Sequence, residues 1–217
     1  MWSIPDIVGA LAAGLRQQQQ RLAEEQAVYG LDALDELGLH PLLAQSLQQA
    51  GFGVYREERY PAHRKAAKAG EGDRCDLVLT PAGRALARPE EPPTLFDEPD
   101  AVELRDAFWM EVKLVAQFTT KGPNRGYSSH LLGAVPQDVV KLSAEPGIVH
   151  AGLLIVLFAQ DESIADHDLD AWQERCLQRG LPIAVGVRQC IRVTDRLGNS
   201  ACALAIVPVH RACLAGT

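Results

Sequence analysis

The stretch Phe108-Trp109-Met110-Glu111-Val112-Lys113-Leu114-Val115 holds the key to the fold. It is bulky and β-branched, has no glycine or proline, and is charged at only two positions, so it reads as a buried β-strand. Side chains on a strand alternate between faces. Glu111 and Lys113 therefore share one face, and Phe108, Met110, Val112 and Leu114 share the other and point into a core. An acid and a base so placed are either a local pair on a half-exposed strand or ions held for a purpose. Burying ions is costly unless they pair or hold a metal.

On the N-terminal side, Asp73 to Thr80 reads as a strand able to pair with this one, with Arg74, Asp76 and Val78 on one face. Phe52 to Tyr60 reads as a strand with charge on both faces, which suits a sheet edge. Before it, Asp32 to Ala50 reads as a helix or a broken pair of helices, with Pro41 marking a kink or a fresh start and Gly51 the stop. Ile4 to about Tyr29 reads as a helix with Ile7, Val8, Leu11, Leu15 and Leu22 at helical spacing, which packs on the main domain or on a second copy of the chain. Residues 81–106 carry five prolines and several acids and read as a long connection between two strands.

On the C-terminal side comes a polar loop, Thr119 to Tyr127. A helix follows, from Ser128 or Pro136 to Ala144. Gly152 to Phe158 suits a fully buried strand, and Asp168 to Arg179 a helix stopped by Gly180. Ile183 to Val193 and Ala201 to Val209 read as two strands joined by a hairpin-like turn at 195–199. The order is that of a mixed α/β protein.

Composition narrows the classes of function. Of 217 residues, 47% are hydrophobic and 23% charged, ordinary for a globular chain with a sizeable core. A formal net charge of −7 argues against coating nucleic acid by bulk electrostatics, but not against a local basic groove. The N-terminus has no basic start before an apolar run, so no secretory signal is expected, and no apolar stretch nears the ~20 residues of a membrane span. The odd count of five cysteines, without metal-type spacing, fits reduced thiols and a cytoplasmic location rather than a disulfide framework or a zinc site.

Three carboxylates fall in informative places: Asp76 beside the Glu111 strand, Glu111 itself, and Glu36 on the helix before the first strand. Two carboxylates a few ångströms apart repel, so one keeps its proton near neutral pH unless a hard divalent cation lies between them. Asp76, Glu111 and the carbonyl of Val112 are the expected ligands of Mg²⁺ or Mn²⁺. Lys113 would orient a water or steady charge on a phosphate, and Glu36 would bind a second metal or position a water.

At these residues the sequence resembles the PD-(D/E)XK, restriction-endonuclease-like nuclease superfamily. The matching motifs are Asp76 in Arg74-Cys75-Asp76-Leu77-Val78-Leu79 and Glu111-Val112-Lys113 in its apolar strand. Glu36, in Asp35-Glu36-Leu37-Gly38-Leu39-His40, looks like the superfamily's helix glutamate and is followed by a Gly51-Phe52 turn into a strand ending Glu57-Glu58-Arg59-Tyr60-Pro61. Gln137 to Leu142 resembles the helix after the catalytic strand. The resemblance spans roughly Asp32 to Ala159, with two departures: no proline precedes Asp76, and the Pro-rich segment is long.

The resemblance implies an α/β restriction-endonuclease-like fold, a mixed β-sheet core (αβββαβ) flanked by helices. To this the chain adds an N-terminal helix over 1–30, a C-terminal β-hairpin and an insertion at about 81–106 within a nuclease domain over 31–217. It implies metal-dependent hydrolysis of DNA with Glu36, Asp76, Glu111 and Lys113 as catalytic residues. The alternative is a non-catalytic module of the same fold that binds nucleic acid or protein. An unrelated α/β protein would put Asp76 and Glu111 on separate faces. Arg64, Lys65, Lys121 and Arg125 are candidate grips for DNA phosphates, if not simply solvated loop charges. A homodimer, and a protein partner docking on the Pro-rich insertion, complete the expected partners. Asp138 and Lys141 read as surface charges, and His40 as a helix-surface residue.

Overall fold

Residues 2–63, 73–88 and 100–211 are described by the computed structural model. Arg64, Lys65, Cys213 and most of the Pro-rich insertion lie outside them. The first helix, α1 (Ile4–Glu24), is capped by Ser3, whose hydroxyl accepts from the amide of Asp6, and Pro5 occupies its first turn. Ile7, Val8, Leu11, Ala12 and Leu15 form its buried stripe. It stops earlier than its apolar spacing predicts, and Gln26 beyond it adopts a left-handed φ of 50°.

The next helix, α2 (Glu36–Gln49), is capped by the Asp35 carboxylate on the amide of Gly38. Pro41 sits inside it, where it removes one backbone hydrogen bond. The two helices meet where Gly14 faces Ser46, so closely that no Cβ fits at position 14. The N-terminal helix is thus part of the fold's own core, against α2 and the sheet.

Three strands follow: β1 (Gly53–Arg59), β2 (Arg74–Thr80) and β3 (Phe108–Ala116), each antiparallel to the one before. Two short pieces, β4 (Phe118–Thr119) and β5 (Gly122–Pro123), pair with each other. A turn, α3 (Tyr127–Ser129), runs through the π-helical His130–Ala134 into α4 (Val135–Ala144). This crossover returns the chain to β6 (His150–Ala159), parallel to β3 along its whole length. Then come α5 (Glu162–Gln178), β7 (Val187–Arg192) and β8 (Ala201–Val209). The six-stranded mixed sheet has the order β1-β2-β3-β6-β8-β7, with the polar β1 at one edge.

Both faces of the sheet are covered. Trp109, Val115, Leu153, Ile155 and Leu157 belong to a core shared with Val139 and Leu142 of α4 and Trp172 of α5. Phe108, Met110, Val112, Leu154, Val156 and Phe158 belong to the core shared with α1 and α2. Burial on both sides explains why the central strands read as unbroken apolar runs. The α5 helix begins six residues before the sequence predicts, because Asp161 caps the amide of Ile164. Among the described residues no helix is long and apolar enough to cross a membrane, and Cys75, Cys176, Cys190 and Cys202 are free thiols.

One polar lock ties the far end of β3 to the β7–β8 turn. Asn199 is fully buried. Its amide donates to Asp32 Oδ2 at 2.9 Å and to the carbonyl of Phe118 at 3.0 Å, and its oxygen accepts from the amide of Phe118 at 3.2 Å. The preceding Gly198 has φ 119° and lies under the Phe118 ring, a place no side chain fits. Replacing Asn199 with Ala removes the side-chain donor to Asp32 Oδ2 and the partner of both backbone groups of Phe118. Urea unfolding followed by circular dichroism is expected to show a loss of about 3 kcal/mol.

Candidate active site

The β2–β3 ladder ends at the pair Leu77–Met110. Beyond it the strands stop pairing, and Asp76 Oδ2 takes the amide proton of Val112 at 2.7 Å in place of a backbone acceptor. On its other side Asp76 also lacks a ladder partner: β1 pairs through Arg56–Leu77 and Glu58–Cys75 but skips Glu57. Glu57 has a left-handed φ of 54°, which costs a β-carbon residue about 1 kcal/mol, and its carbonyl accepts from the Arg74 guanidinium at 2.6 Å. Asp76 therefore stands in a break of the sheet bounded by both neighbouring strands.

The side chains converge there from five elements. Glu111 is 3% exposed, and its Oε1 accepts from the Tyr60 hydroxyl at 2.6 Å and from Lys141 Nζ of α4 at 2.8 Å. Lys141 also donates to the carbonyl of Arg74 at 3.1 Å and lies 5.1 Å over the Tyr60 ring, which stacks on Trp109. Lys113 Nζ lies 3.6 Å from Glu36 Oε1 of α2 and 3.8 Å from Asp138 Oδ2 of α4. A ring nitrogen of His40 and carboxylate oxygens of Glu57 and Asp76 lie within 4.8 Å of one another. Carboxylates outnumber ammonium groups in this cleft, since Glu36, Glu57, Asp76, Glu111 and Asp138 face Lys113 and Lys141.

Electrostatics follow from burial and crowding. Burial, and next the charge of Glu111, push the Asp76 carboxyl up from 3.8 to about 8, against the pull of the Val112 amide and Lys113. Burial likewise raises Asp138, although Lys113 and Lys141 oppose it. Burial holds the His40 imidazole below its usual range despite Glu36 and Glu57, which keeps it neutral. For Lys113, burial works against the charge, but Asp138, Glu36, Asp76 and Glu111 together outweigh it and raise the ammonium. Lys141 is raised in the same way by its hydrogen bond and charge interaction with Glu111. Burial, then the charges of Cys75 and Glu111, keep the Tyr60 phenol protonated.

Asp76, Glu111, Lys113 and Glu36 are thus neighbours in the structure, and Asp76 and Glu111 do not lie on separate faces. Two expectations are corrected. Asp138 and Lys141 are not surface charges; they are partly buried ion-pair partners of Lys113 and Glu111. His40 is not on the helix surface but 3% exposed, one turn beyond Glu36 on the same helix. Of the expected ligand set of Asp76, Glu111 and the Val112 carbonyl, Asp76 and Glu111 are neighbours; Val112 meets Asp76 through its amide, and Glu111 Oε1 accepts from Tyr60 and Lys141.

Glu57 and Tyr60 were missed because an edge strand with charge on both faces reads as solvated. The register that puts Glu57 opposite Asp76 comes from the β1–β2 pairing, which a long connection between the strands leaves unsignalled in the sequence. Lys121 is exposed at the β4–β5 turn and Arg125 just after it, with no contact to the carboxylates among the described residues. Set beside known proteins, the chain matches no family model, no curated protein and no solved structure.

The crowded carboxyl has a consequence for stability in the metal-free protein. Folded Asp76 holds its proton up to about pH 8, whereas the unfolded chain releases it near 3.8. Its contribution is therefore complete below the lower value and is lost as pH rises through the upper one. With EDTA present, Asp76→Asn, which keeps an acceptor for the Val112 amide, is expected to match the parent in urea unfolding at about pH 4 and to exceed it by about 2 kcal/mol at about pH 9.

Proposed function

We propose that this chain is a metal-dependent nuclease of the PD-(D/E)XK, restriction-endonuclease-like type that hydrolyses phosphodiester bonds in DNA. The observation that carries the reading is the meeting of Asp76, Glu111 and Lys113 where β2 and β3 part, with Glu36 of α2 against Lys113. The element order α2-β1-β2-β3-α4-β6, with β6 parallel to β3, supports it, because it repeats the αβββαβ order that the motifs imply.

The residues divide the work by charge. Lys113 is protonated at neutral pH, so it serves as a donor: it steadies negative charge on a phosphate oxygen or orients the attacking water, and takes no proton from it. Glu36 and Asp138 hold that ammonium between them from opposite sides of the sheet. Glu111, fixed by Tyr60 and Lys141, keeps the negative field on Asp76. The donors in the cleft suit a divalent cation, because carboxylates are crowded there and an imidazole nitrogen stands unpartnered. Asp76 would hold Mg²⁺ or Mn²⁺, which when bound supplies charge neutralisation at the phosphate and a water of lowered pKa. Lys121 and Arg125, beyond the C-terminal end of β3, would grip the strand on either side of the scissile bond.

The test is cleavage of single- and double-stranded DNA with Mg²⁺ or Mn²⁺. The parent is expected to cut only with metal, Asp76→Asn not at all, and Lys113→Ala about 100-fold more slowly, whereas Glu36→Gln loses about tenfold by loosening Lys113. Full activity in Lys113→Ala would remove the basis of the reading. No cutting by the parent with either metal would transfer it to a non-catalytic nucleic-acid-binding or protein-interaction module.

A further inference from the structure

We propose that His40, Glu57 and Asp76 form the protein's metal centre, one ligand each from α2, β1 and β2, and that it takes a first-row transition cation such as Mn²⁺ or Co²⁺ in preference to Mg²⁺. The assignment refines the metal-dependent reading above and rests on it for the site's role. Binding itself stands on the donor geometry alone.

Four observations converge. First, the three ligand atoms lie within 4.8 Å of one another, close to the roughly 4.4 Å that two ligands of one ion can span, so small side-chain movements would seat the ion. Second, His40 is 3% exposed, and its Nε2 is buried with no hydrogen-bond partner, a state that a native imidazole rarely tolerates without a ligand. Third, Glu57 leaves the β1–β2 ladder at the one position opposite Asp76 and adopts a left-handed backbone there, while its neighbours Arg56 and Glu58 stay in register. Strain confined to the residue that faces the carboxylate is the signature of a site rather than of a loose edge. Fourth, Glu111 commits its Oε1 to Tyr60 and Lys141, so it offers an ion at Asp76 at most one oxygen, whereas Glu57 and His40 each bring a ligand atom to it.

The donor set fixes the kind of ion. One imidazole and two carboxylates leave further coordination positions for water or a phosphate oxygen. An imidazole nitrogen favours the transition series, whereas Mg²⁺ prefers an all-oxygen, strictly octahedral shell. Glu36 and His40 lie one turn apart on α2, so the same helix face that holds Lys113 also delivers the nitrogen ligand. Metal and lysine are thereby set in register by a single rigid element.

The experiment uses the full chain stripped with EDTA and titrated with CoCl₂, MnCl₂ and MgCl₂ by calorimetry, with the visible d–d absorption of Co²⁺ as a second readout. One ion per chain is expected, with Mn²⁺ and Co²⁺ at least about tenfold tighter than Mg²⁺ and a Co²⁺ spectrum that includes a nitrogen ligand. His40→Gln and Glu57→Gln are each expected to lose Co²⁺ affinity at least about tenfold, and Glu111→Gln to stay within about threefold of the parent. Glu57 is exposed, so its variant keeps the fold even if the buried His40 does not tolerate change, and circular dichroism checks both. Unaltered affinity in Glu57→Gln, an equal loss in Glu111→Gln and Asp76→Asn, or no ion bound by the parent would each overturn the assignment. Binding as described without DNA cleavage would keep the centre and remove the nuclease reading. Cleavage insensitive to Glu57→Gln would do the reverse.

Discussion

The cleft depends on one constraint: carboxyl groups held out of water beside one another must be neutralised by something. Asp76 and Glu111 stand together at the end of the β2–β3 ladder, and the protein answers with a shared proton, an amide, a phenol and two lysines. The answers come from several elements. The Val112 amide belongs to the strand itself, Tyr60 to the end of β1, and Lys141 and Asp138 to α4, while Glu36 and His40 belong to α2. Removing any one leaves a buried charge less well compensated, so the sheet, α2 and α4 are held at their mutual positions by electrostatics as well as by apolar contact.

That arrangement separates two jobs. Glu111 is turned inward, with its Oε1 held by Tyr60 and Lys141, and burial together with its proximity keeps Asp76 protonated in the bare protein. Asp76 is turned toward His40 and Glu57. A carboxyl with a strongly raised pKa next to a neutral imidazole is a group ready to exchange its proton for a cation. Lys113, charged and steered by two acids, is the donor that the proposed phosphate chemistry would use. The break in the sheet supplies the opening. Had β1, β2 and β3 stayed paired to their ends, the polar atoms of Glu57, Asp76 and Val112 would have been consumed by the ladder.

Much of this was legible in the residues. The charged pair on β3 could be read because a strand with only two charges stands out, and alternation puts both on one side. Asp76 could be read because it interrupts a short apolar strand, and the polar β1 was correctly placed at the edge, since a buried central strand does not carry charge on both faces. The start of α5 was hidden by the polar run Asp166-His167-Asp168, which masks a helix whose signal is its Asp161 cap. Asp138 and Lys141 were hidden for a related reason. Charge on a helix reads as solvent exposure unless its partner is known, and those partners lie on β3, 25 to 30 residues earlier in the chain.

By itself, then, the sequence determined the order of helices and strands, which strands are buried on both faces, and the chemical character of the β3 pair, because those follow from local periodicity and the cost of burying charge. Only the tertiary structure decided which charges meet. His40, Glu57 and Asp76 are brought together by the packing of α2 on the sheet and by the skipped pair in the β1–β2 ladder. Tyr60 and Lys141 reach the same oxygen of Glu111 from a strand end and a crossover helix. No local rule fixes such a meeting, since it rests on crossing geometry and ladder register, which distant parts of the chain settle jointly as they bury their apolar faces.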